Sequence, residues 1–330
     1  MNFDPQLSTG GAIAVALTAA LFWGSWAIIL KYLDDSPLDA FYIILFTSSA
    51  LFVWIVGFIL DGVALLSNIA EVWRQDASRV ILPFLAGATY VGATMLGMRV
   101  MQRVGLALAQ PISSSIGLIL GTLFSYLVGG VPENMSVGRI LLAGAFLVAA
   151  IFLTNLSGNV RAQKLPEQLG RERITGRILL MVVLSSFSGV IYSLGISYGL
   201  KSVTQPIGLA VMPFICVLLT GAWLSSSLIS GIQLSRRRGW GEFERFRPRL
   251  YLMIFAAAAV HYAGNILHAY AARSLSTVMA WPLSMTASLW NQVWGLAYGE
   301  FKHAPRRAYL LLGAGVLCYL IGAFIISNLF

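Results

Sequence analysis

The chain has 330 residues, of which 58% are hydrophobic and only 11% are charged. A soluble domain carries about 25% charged residues, so this composition excludes a soluble globular protein and leaves no room for a soluble catalytic domain. The net charge of +9 could indicate a nucleic-acid partner, but the basic residues lie between apolar runs, where they mark membrane topology instead.

Ten apolar runs follow one another along the chain. A helix needs about 20 mostly apolar residues to cross the hydrocarbon core of a bilayer, and each run is close to that length. The runs cover residues 12–32, 40–61, 80–100, 105–128, 139–156, 177–200, 205–230, 250–272, 276–298 and 308–328. We therefore predict an all-α polytopic membrane protein with ten transmembrane helices. The segment before the first run has no basic residue, so we interpret that run as a retained helix and not as a signal peptide.

The basic residues between these runs are distributed unevenly. Ten crossings place seventeen of the 22 Lys and Arg residues on one side of the membrane and five on the other. Since basic residues collect in cytoplasmic loops, this asymmetry predicts that both termini lie outside the cytoplasm.

Two short motifs recur at almost the same separation. Ala109–Ser113 (AQPIS) recurs as Ala280–Ser284 (AWPLS), and Tyr90-Val91-Gly92 recurs as Tyr262-Ala263-Gly264. This pattern predicts two five-helix repeats, 1–156 and 177–330, joined by a cytoplasmic linker at 157–176. Because five is an odd number of crossings, the second repeat must be inserted upside down relative to the first, and such repeats bind solute at their interface.

A proline lies in the fourth predicted span of each half. Pro111 and Pro282 each remove one backbone hydrogen bond and should kink their helix. Nearby Ser and Thr side chains can satisfy the groups that the prolines free. Either the kinks are packed and structural, or the pair opens a cavity between the halves.

The densest set of intramembrane polar residues lies in the eighth span. His261, Asn265 and His268 share one helix face, and such groups in a membrane are functional candidates. Either histidine could bind solute or carry a proton, while the alternative is a pair of satisfied core histidines.

A second polar stripe follows in the ninth span, where residues recur at three and four: Trp281, Ser284, Ser288, Asn291 and Gly295. Indole and carboxamide groups combine apolar faces with hydrogen-bonding atoms, which suits a small neutral polar solute. The predicted substrate-binding residues are Trp23, Tyr90, Asn265, Trp290, Asn291 and Gln292.

Charged residues are absent from the centres of the predicted spans. A strongly charged solute would need a fixed counter-charge there, so we expect an uncharged one. Coupling to a cation, a proton or sodium, would have to use His261, His268 or the near-terminal Glu300. Cys216 and Cys318 are expected only to pack, and we predict neither a metal nor a cofactor. Enzyme motifs are also missing, which leaves a membrane enzyme as a distant alternative.

Two motifs carry a family resemblance: Phe22–Trp26 (FWGSW) in the first span and Leu296–Lys302 (LAYGEFK) at the end of the ninth. With the ten-span layout, the chain resembles the drug/metabolite transporter superfamily. It is similar to the branch with the L-rhamnose–proton symporter and the glucose/ribose porters, and to plant ureide permeases. The resemblance implies secondary transport in a bacterial inner membrane, with the solute, most simply a sugar, bound between the halves. A carrier of ureides or nucleobases, or an exporter of amino acids or metabolites, would share the fold.

Overall fold

The computed structural model describes residues 5–33, 37–104, 106–130, 136–162, 176–299, 301–302 and 304–327. Within these ranges the regular structure is helical, apart from one isolated bridge between Leu200 and Leu209. The predicted all-α class is confirmed for the part of the chain that the structure covers.

The α-helices are α1 (Thr9–Ser25), α2 (Leu38–Asp61), α3 (Ala64–Gln75), α4 (Ser78–Val104), α5 (Leu106–Gly129), α6 (Val137–Ala162), α7 (Gly176–Gly199), α8 (Val211–Arg236), α9 (Pro248–Leu275), α10 (Thr277–Ser284), α11 (Ala287–Ala297) and α12 (Arg306–Ser327). Two 3₁₀ helices, η1 (Trp26–Tyr32) and η2 (Trp240–Arg245), continue α1 and precede α9.

Eight stretches of the described chain are long and apolar enough to cross a membrane, which makes this a membrane-embedded protein. They are Thr9–Leu30, Leu38–Asp61, Ser78–Val100, Leu141–Arg161, Leu180–Gly199, Val211–Arg236, Pro248–Leu275 and Arg306–Ile325. A shorter apolar stretch, Ile116–Gly129, lies in α5. Large apolar side chains such as Ile59, Leu310 and Phe324 are mostly exposed, as expected for helices that face lipid on one side.

The predicted ninth run is not one helix. It forms α10 and α11, which are separated by a turn at Met285 and Thr286. Pro282 lies in α10, one turn before this interruption. The neighbouring helices bury α10, so the backbone groups freed there face protein and not lipid. The helix α6 also runs on to Ala162, so helix covers the first part of the predicted linker, and 163–175 lies outside the described residues.

The helices pack in a repeating scheme. Helix α4 packs against α7 and α8, and α9 packs against α1 and α2. The pairs α2–α8, α5–α10 and α6–α12 are also in contact. The largest fully buried side chains include Trp281 of α10, Tyr42 and Phe41 of α2, and Tyr262 of α9, so aromatic residues make up much of the core.

Ionic and polar contacts tie the helices together at both ends. At one end, Asp39 of α2 forms salt bridges with Arg99 of α4 (2.8 Å) and with Arg237 after α8 (3.1 Å). At the other end, the Arg79 guanidinium of α4 donates to the carbonyl oxygen of Tyr198 in α7 and lies over its ring. These contacts hold the helices that surround the centre of the molecule.

Candidate functional site

Six aromatic side chains from α1, α4, α7, α9 and α10 form a cluster in the interior, which we call the aromatic enclosure: Trp23, Tyr90, Tyr192, Tyr262, His268 and Trp281. The ring centroid of Trp23 lies 5.0 Å from that of His268 and 5.8 Å from that of Tyr192. Trp281 lies 6.2 Å from Trp23 and 5.9 Å from His268. The rings touch one another, so a ligand that binds among them must move them apart.

A chain of hydrogen bonds fixes the orientation of His268. The hydroxyl of Ser284 in α10 lies 2.7 Å from His268 Nδ1 and 3.3 Å from the carbonyl oxygen of Ala16 in α1. A hydroxyl has one proton to donate. When Ser284 donates it to Ala16, the short contact requires that Nδ1 of His268 donate to Ser284. The remaining ring nitrogen, Nε2, then carries a lone pair that can accept a hydrogen bond.

Three polar atoms of the enclosure are buried and have no hydrogen-bond partner among the residues that the structure describes: Trp23 Nε1, Tyr192 OH and His268 Nε2. They comprise an N–H donor, a hydroxyl that can donate or accept, and, in the tautomer above, an acceptor. Buried polar groups in proteins are almost always hydrogen-bonded, so exceptions call for an explanation. These atoms can meet the donors and acceptors of a bound solute.

Other polar atoms of the enclosure are already satisfied within the protein. The hydroxyl oxygens of Tyr90 and Tyr262 lie 2.6 Å apart, so one donates to the other. The indole Nε1 of Trp281 donates to the carbonyl oxygen of Gly117 at 3.2 Å. These bonds hold two helix contacts, α4 with α9 and α10 with α5, and suit a structural role.

A glycine makes room for Trp23. A Cβ atom added to Gly264 of α9 would lie 2.7 Å from Trp23 Cδ1, closer than real atoms pack. The glycine of the repeated Tyr-x-Gly motif therefore lets an indole of α1 lie directly against the α9 backbone.

The predicted polar face of α9 is divided between two places. His268 belongs to the enclosure, whereas His261 stacks on Trp26 of η1 with ring centroids 4.6 Å apart and an interplanar angle of 15°. Asn265 is buried, but its Nδ2 donates to the carbonyl oxygen of His261 in the same helix at 3.2 Å. Trp23, Tyr90 and His268 thus come together, while Asn265 and His261 lie beside the enclosure.

The predicted residues of the ninth span are separated by the break between α10 and α11. Trp281 and Ser284 face the enclosure, whereas Asn291 is exposed. The predicted polar stripe required one continuous helix. The turn at Met285 and Thr286 separates α10 from α11, so the residues of α11 no longer share a face with those of α10.

The other two residues predicted in this segment contact different helices. Trp290 lies against α1, where a Cβ added to Gly24 would be 2.5 Å from Trp290 Cβ. Gln292 contacts α6. Pro111 lies in α5, which the structure describes as one helix across that position, and Glu300 lies outside the described residues.

Tyr192 is the enclosure residue that the sequence interpretation missed. It lies in the apolar run of α7 without a motif around it, and its importance comes from its contacts with Trp23 and Trp281. A signal was available, because a tyrosine in the middle of a membrane span carries a hydroxyl that must find a partner.

A cavity of about 230 Å³ lies at one end of the molecule, beside the start of α1 and the ends of α7 and α9. Its lining residues are Gln6, Leu7, Lys201, Ser202, Val203, Arg273 and Ser274.

Comparison with known proteins supports the fold alone. No family model matches the chain, and no curated protein matches it. Sixteen chains of known structure do match. One of them, described only as "Crystal structure of protein", superposes with a TM-score of 0.60 over 96% of each chain at 16% identity. A likeness at this identity shows a shared fold over nearly the whole chain and nothing about activity.

Proposed function

We propose that this chain is a secondary active transporter that imports a small neutral polar solute by alternating access. The observation that carries the proposal is the aromatic enclosure. It is buried among helices from both halves of the chain and holds polar atoms that have no partner in the described part of the chain. A purely structural core would be expected to satisfy them.

The packing scheme supports a ten-span arrangement of two inverted repeats. In this proposal α1, α2, α4, α5 and α6 form one half, and α7, α8, α9, α10–α11 and α12 the other. Helix α4 is then equivalent to α9, α7 to α1, and α8 to α2. The contact between α4 and α7 therefore corresponds to the contact between α9 and α1, and the contact between α4 and α8 corresponds to the contact between α9 and α2. The second, fourth and fifth spans each contact their own counterparts, as elements next to a two-fold axis between the halves would.

A contact between the two repeated tyrosines also supports a two-fold axis between the halves. Tyr90 and Tyr262 are equivalent in the sequence repeat, and their hydroxyl oxygens are 2.6 Å apart. A residue and its repeat-related partner can touch only next to the axis that relates them. The enclosure would therefore lie on that axis, where inverted-repeat transporters bind solute.

Histidine supplies the proposed coupling chemistry. His268 and His261 both contact tryptophans of the first span, so protonation of either ring would change contacts at the solute site. Coupling of import to a proton is thus the simplest form of the proposal, and a sodium ion is the alternative.

The chemistry of the enclosure favours a second candidate solute. A monosaccharide presents several hydroxyl groups, whereas the described residues of the enclosure offer three unpartnered atoms among flat rings. A planar solute with an N–H beside a carbonyl, such as a ureide or a nucleobase, would pair with Trp23 Nε1 and His268 Nε2 and stack on the rings. Sugar and amide solutes are therefore the two candidates to compare.

A ligand panel tests the proposal. Purified protein is screened by thermal shift against L-rhamnose, ribose, allantoin, uracil and amino acids, because a solute that binds only the folded state raises the melting temperature. Hits are then followed as uptake into proteoliposomes with an imposed pH or sodium gradient. We expect at least one hit to show saturable, gradient-dependent uptake, and we expect Trp23→Phe to reduce its thermal shift at the same solute concentration.

Two results would contradict the proposal. Chemical conversion of a hit without net flux across the bilayer would indicate a membrane enzyme. A melting temperature that no solute in the panel raises, together with no uptake, would remove the support for transport.

A further inference from the structure

A second group of unpartnered polar atoms lies outside the enclosure, between α6 and α11. It consists of three carboxamides, Asn155, Asn159 and Gln292, which we call the carboxamide cleft. Asn155 Nδ2, Asn159 Oδ1 and Gln292 Oε1 are buried and have no hydrogen-bond partner in the described structure. The side chain of Asn155 is only 6% exposed, so these groups are enclosed by protein.

The helix geometry brings the three side chains together. Asn155 and Asn159 are one turn apart on α6 and share a face. Gly158 lies on the same side, and a Cβ atom added there would be 3.3 Å from Gln292 Nε2. The glycine therefore lets the Gln292 carboxamide lie against α6, next to the two asparagines.

The cleft is close to the end of the molecule opposite the 230 Å³ cavity. Asn155 and Asn159 lie in the last two turns of α6, and Ser157 donates to the carbonyl oxygen of Ala308, near the start of α12, at 2.6 Å. The hydroxyls of Tyr32 and Tyr298 lie 3.0 Å apart, so η1 and the segment after α11 end at this same face.

Unpartnered carboxamides are unfavourable in such a place. Burying a polar atom of an amide without a hydrogen bond is costly, and polar groups within membrane spans are functional candidates. Each carboxamide can both donate and accept. The Arg161 guanidinium, two residues beyond Asn159, lies 4.7 Å from the ring centroid of Phe301, and its positive charge disfavours a metal cation nearby. The chemistry therefore fits an uncharged solute with several hydroxyl or amide groups.

We propose that the carboxamide cleft is a second binding station for the transported solute, located between the aromatic enclosure and the Tyr32–Tyr298 face. The role of the cleft in a transport path rests on the proposed function. Its ability to admit water and bind an uncharged polar solute does not, and it can be measured separately.

The first experiment measures access to the cleft without measuring transport. In protein with Cys216→Ala and Cys318→Ala, the variant Asn155→Cys is treated with a charged, membrane-impermeant thiol reagent from the Tyr32–Tyr298 side. L-Rhamnose and uracil are the probes. We expect the thiol to react, and one probe to slow the reaction at least threefold. Thr154→Cys is the matched control: Thr154 is fully buried and its hydroxyl donates to α6 carbonyls, so a thiol there should stay unreactive.

The second experiment covers the case in which Asn155→Cys does not fold. Gln292→Met removes the carboxamide and keeps the side-chain length. We expect it to retain thermal-shift binding of the solute within about twofold and to slow exchange of that solute across proteoliposomes about tenfold. Thr154→Val, a polar deletion on the same helix, should leave exchange unchanged.

The outcomes separate the two proposals. A thiol at 155 that does not react, or reacts equally with and without both probes, would overturn the cleft as a solute station, and so would normal exchange by Gln292→Met. If the wild-type protein transports neither probe but a probe still protects the thiol, the proposed function fails and the binding site remains.

Discussion

The aromatic enclosure and the carboxamide cleft are both buried, but they differ in how many of their polar atoms are hydrogen-bonded within the protein. In the enclosure, hydrogen bonds tie Tyr90 to Tyr262 and Trp281 to Gly117, beside three atoms for which the described residues provide no partner. In the cleft, each of the three carboxamides has an unpartnered atom. Burial alone therefore does not distinguish the two regions, whereas the share of their polar atoms that lack a partner among the described residues does.

The two regions also differ in what they can recognise. Rings supply large flat surfaces with few hydrogen-bonding atoms, while carboxamides supply both donors and acceptors. Under the two proposals, the enclosure selects a solute by shape and stacking, and the cleft holds it by several polar contacts. The following substitutions test this division, from the largest expected change in stability to the smallest.

Removing an enclosure ring whose polar atom is already hydrogen-bonded within the protein should have the largest effect on stability. Trp281 is 1% exposed, so Trp281→Ala should leave a cavity and lower the free energy of unfolding by about 3–5 kcal/mol. Trp73→Ala is the control, because that indole is 51% exposed and its removal should cost no more than about 0.5 kcal/mol. Unfolding in detergent measures both, and equal losses would show that Trp281 is not part of a packed core.

The tyrosine pair should show coupling. Tyr90→Phe leaves the buried Tyr262 hydroxyl without its partner and should cost about 1–3 kcal/mol. The double variant Tyr90→Phe/Tyr262→Phe removes both hydroxyls and should lose less than the sum of the single changes. Additive losses in this double-mutant cycle would mean that the two hydroxyls do not interact.

Removing the indole N–H of Trp23, which has no hydrogen-bond partner among the described residues, should weaken solute binding and change stability little. Trp23→Phe keeps a ring and breaks no internal hydrogen bond of the indole N–H, so stability should change by less than about 1.5 kcal/mol. Solute affinity should fall about tenfold, equivalent to about 1.4 kcal/mol. Trp294→Phe is the comparison, since the Trp294 Nε1 donates to Ser25 Oγ at 2.8 Å; there, stability should fall and affinity should hold.

The cleft should show the smallest change in stability. Asn155→Leu removes a buried amide that has an unpartnered atom, so the unfolding free energy should stay within about 0.5 kcal/mol or rise slightly. Thermal unfolding without solute measures this. A loss of 2 kcal/mol or more, on the order of the cost of a broken buried hydrogen bond, would show that Asn155 has a structural partner.

Part of the enclosure could be predicted from local patterns. Trp23, Tyr90 and His268 were identified because each is a polar aromatic residue in a predicted span, and such groups are rare without a reason. Tyr192 was missed because it lies in an apolar run without a motif. Asn155 and Asn159 were missed because they lie at the end of the fifth predicted span and in the predicted linker. Their significance depends on which residues of distant helices face them.

The break in the ninth span shows why Asn291 and Gln292 could not be placed in advance. Helical spacing put Asn291 on the same stripe as Trp281 and Ser284, but the spacing holds only while the helix is continuous. Pro282 indicated that the helix would kink or break, but it did not indicate how the following segment would be oriented. In the structure Asn291 is exposed and Gln292 contacts α6.

The sequence by itself determined that the chain is helical and membrane-embedded, because hydrocarbon leaves unpaired backbone no partner and requires apolar runs of a fixed length. It also indicated a duplication, through two motifs with almost equal spacing. Only the tertiary structure decided which polar atoms find partners inside the protein and which do not. That outcome depends on close approaches between helices distant in sequence, as between Gly264 and Trp23 or Gly158 and Gln292, and no local pattern encodes them.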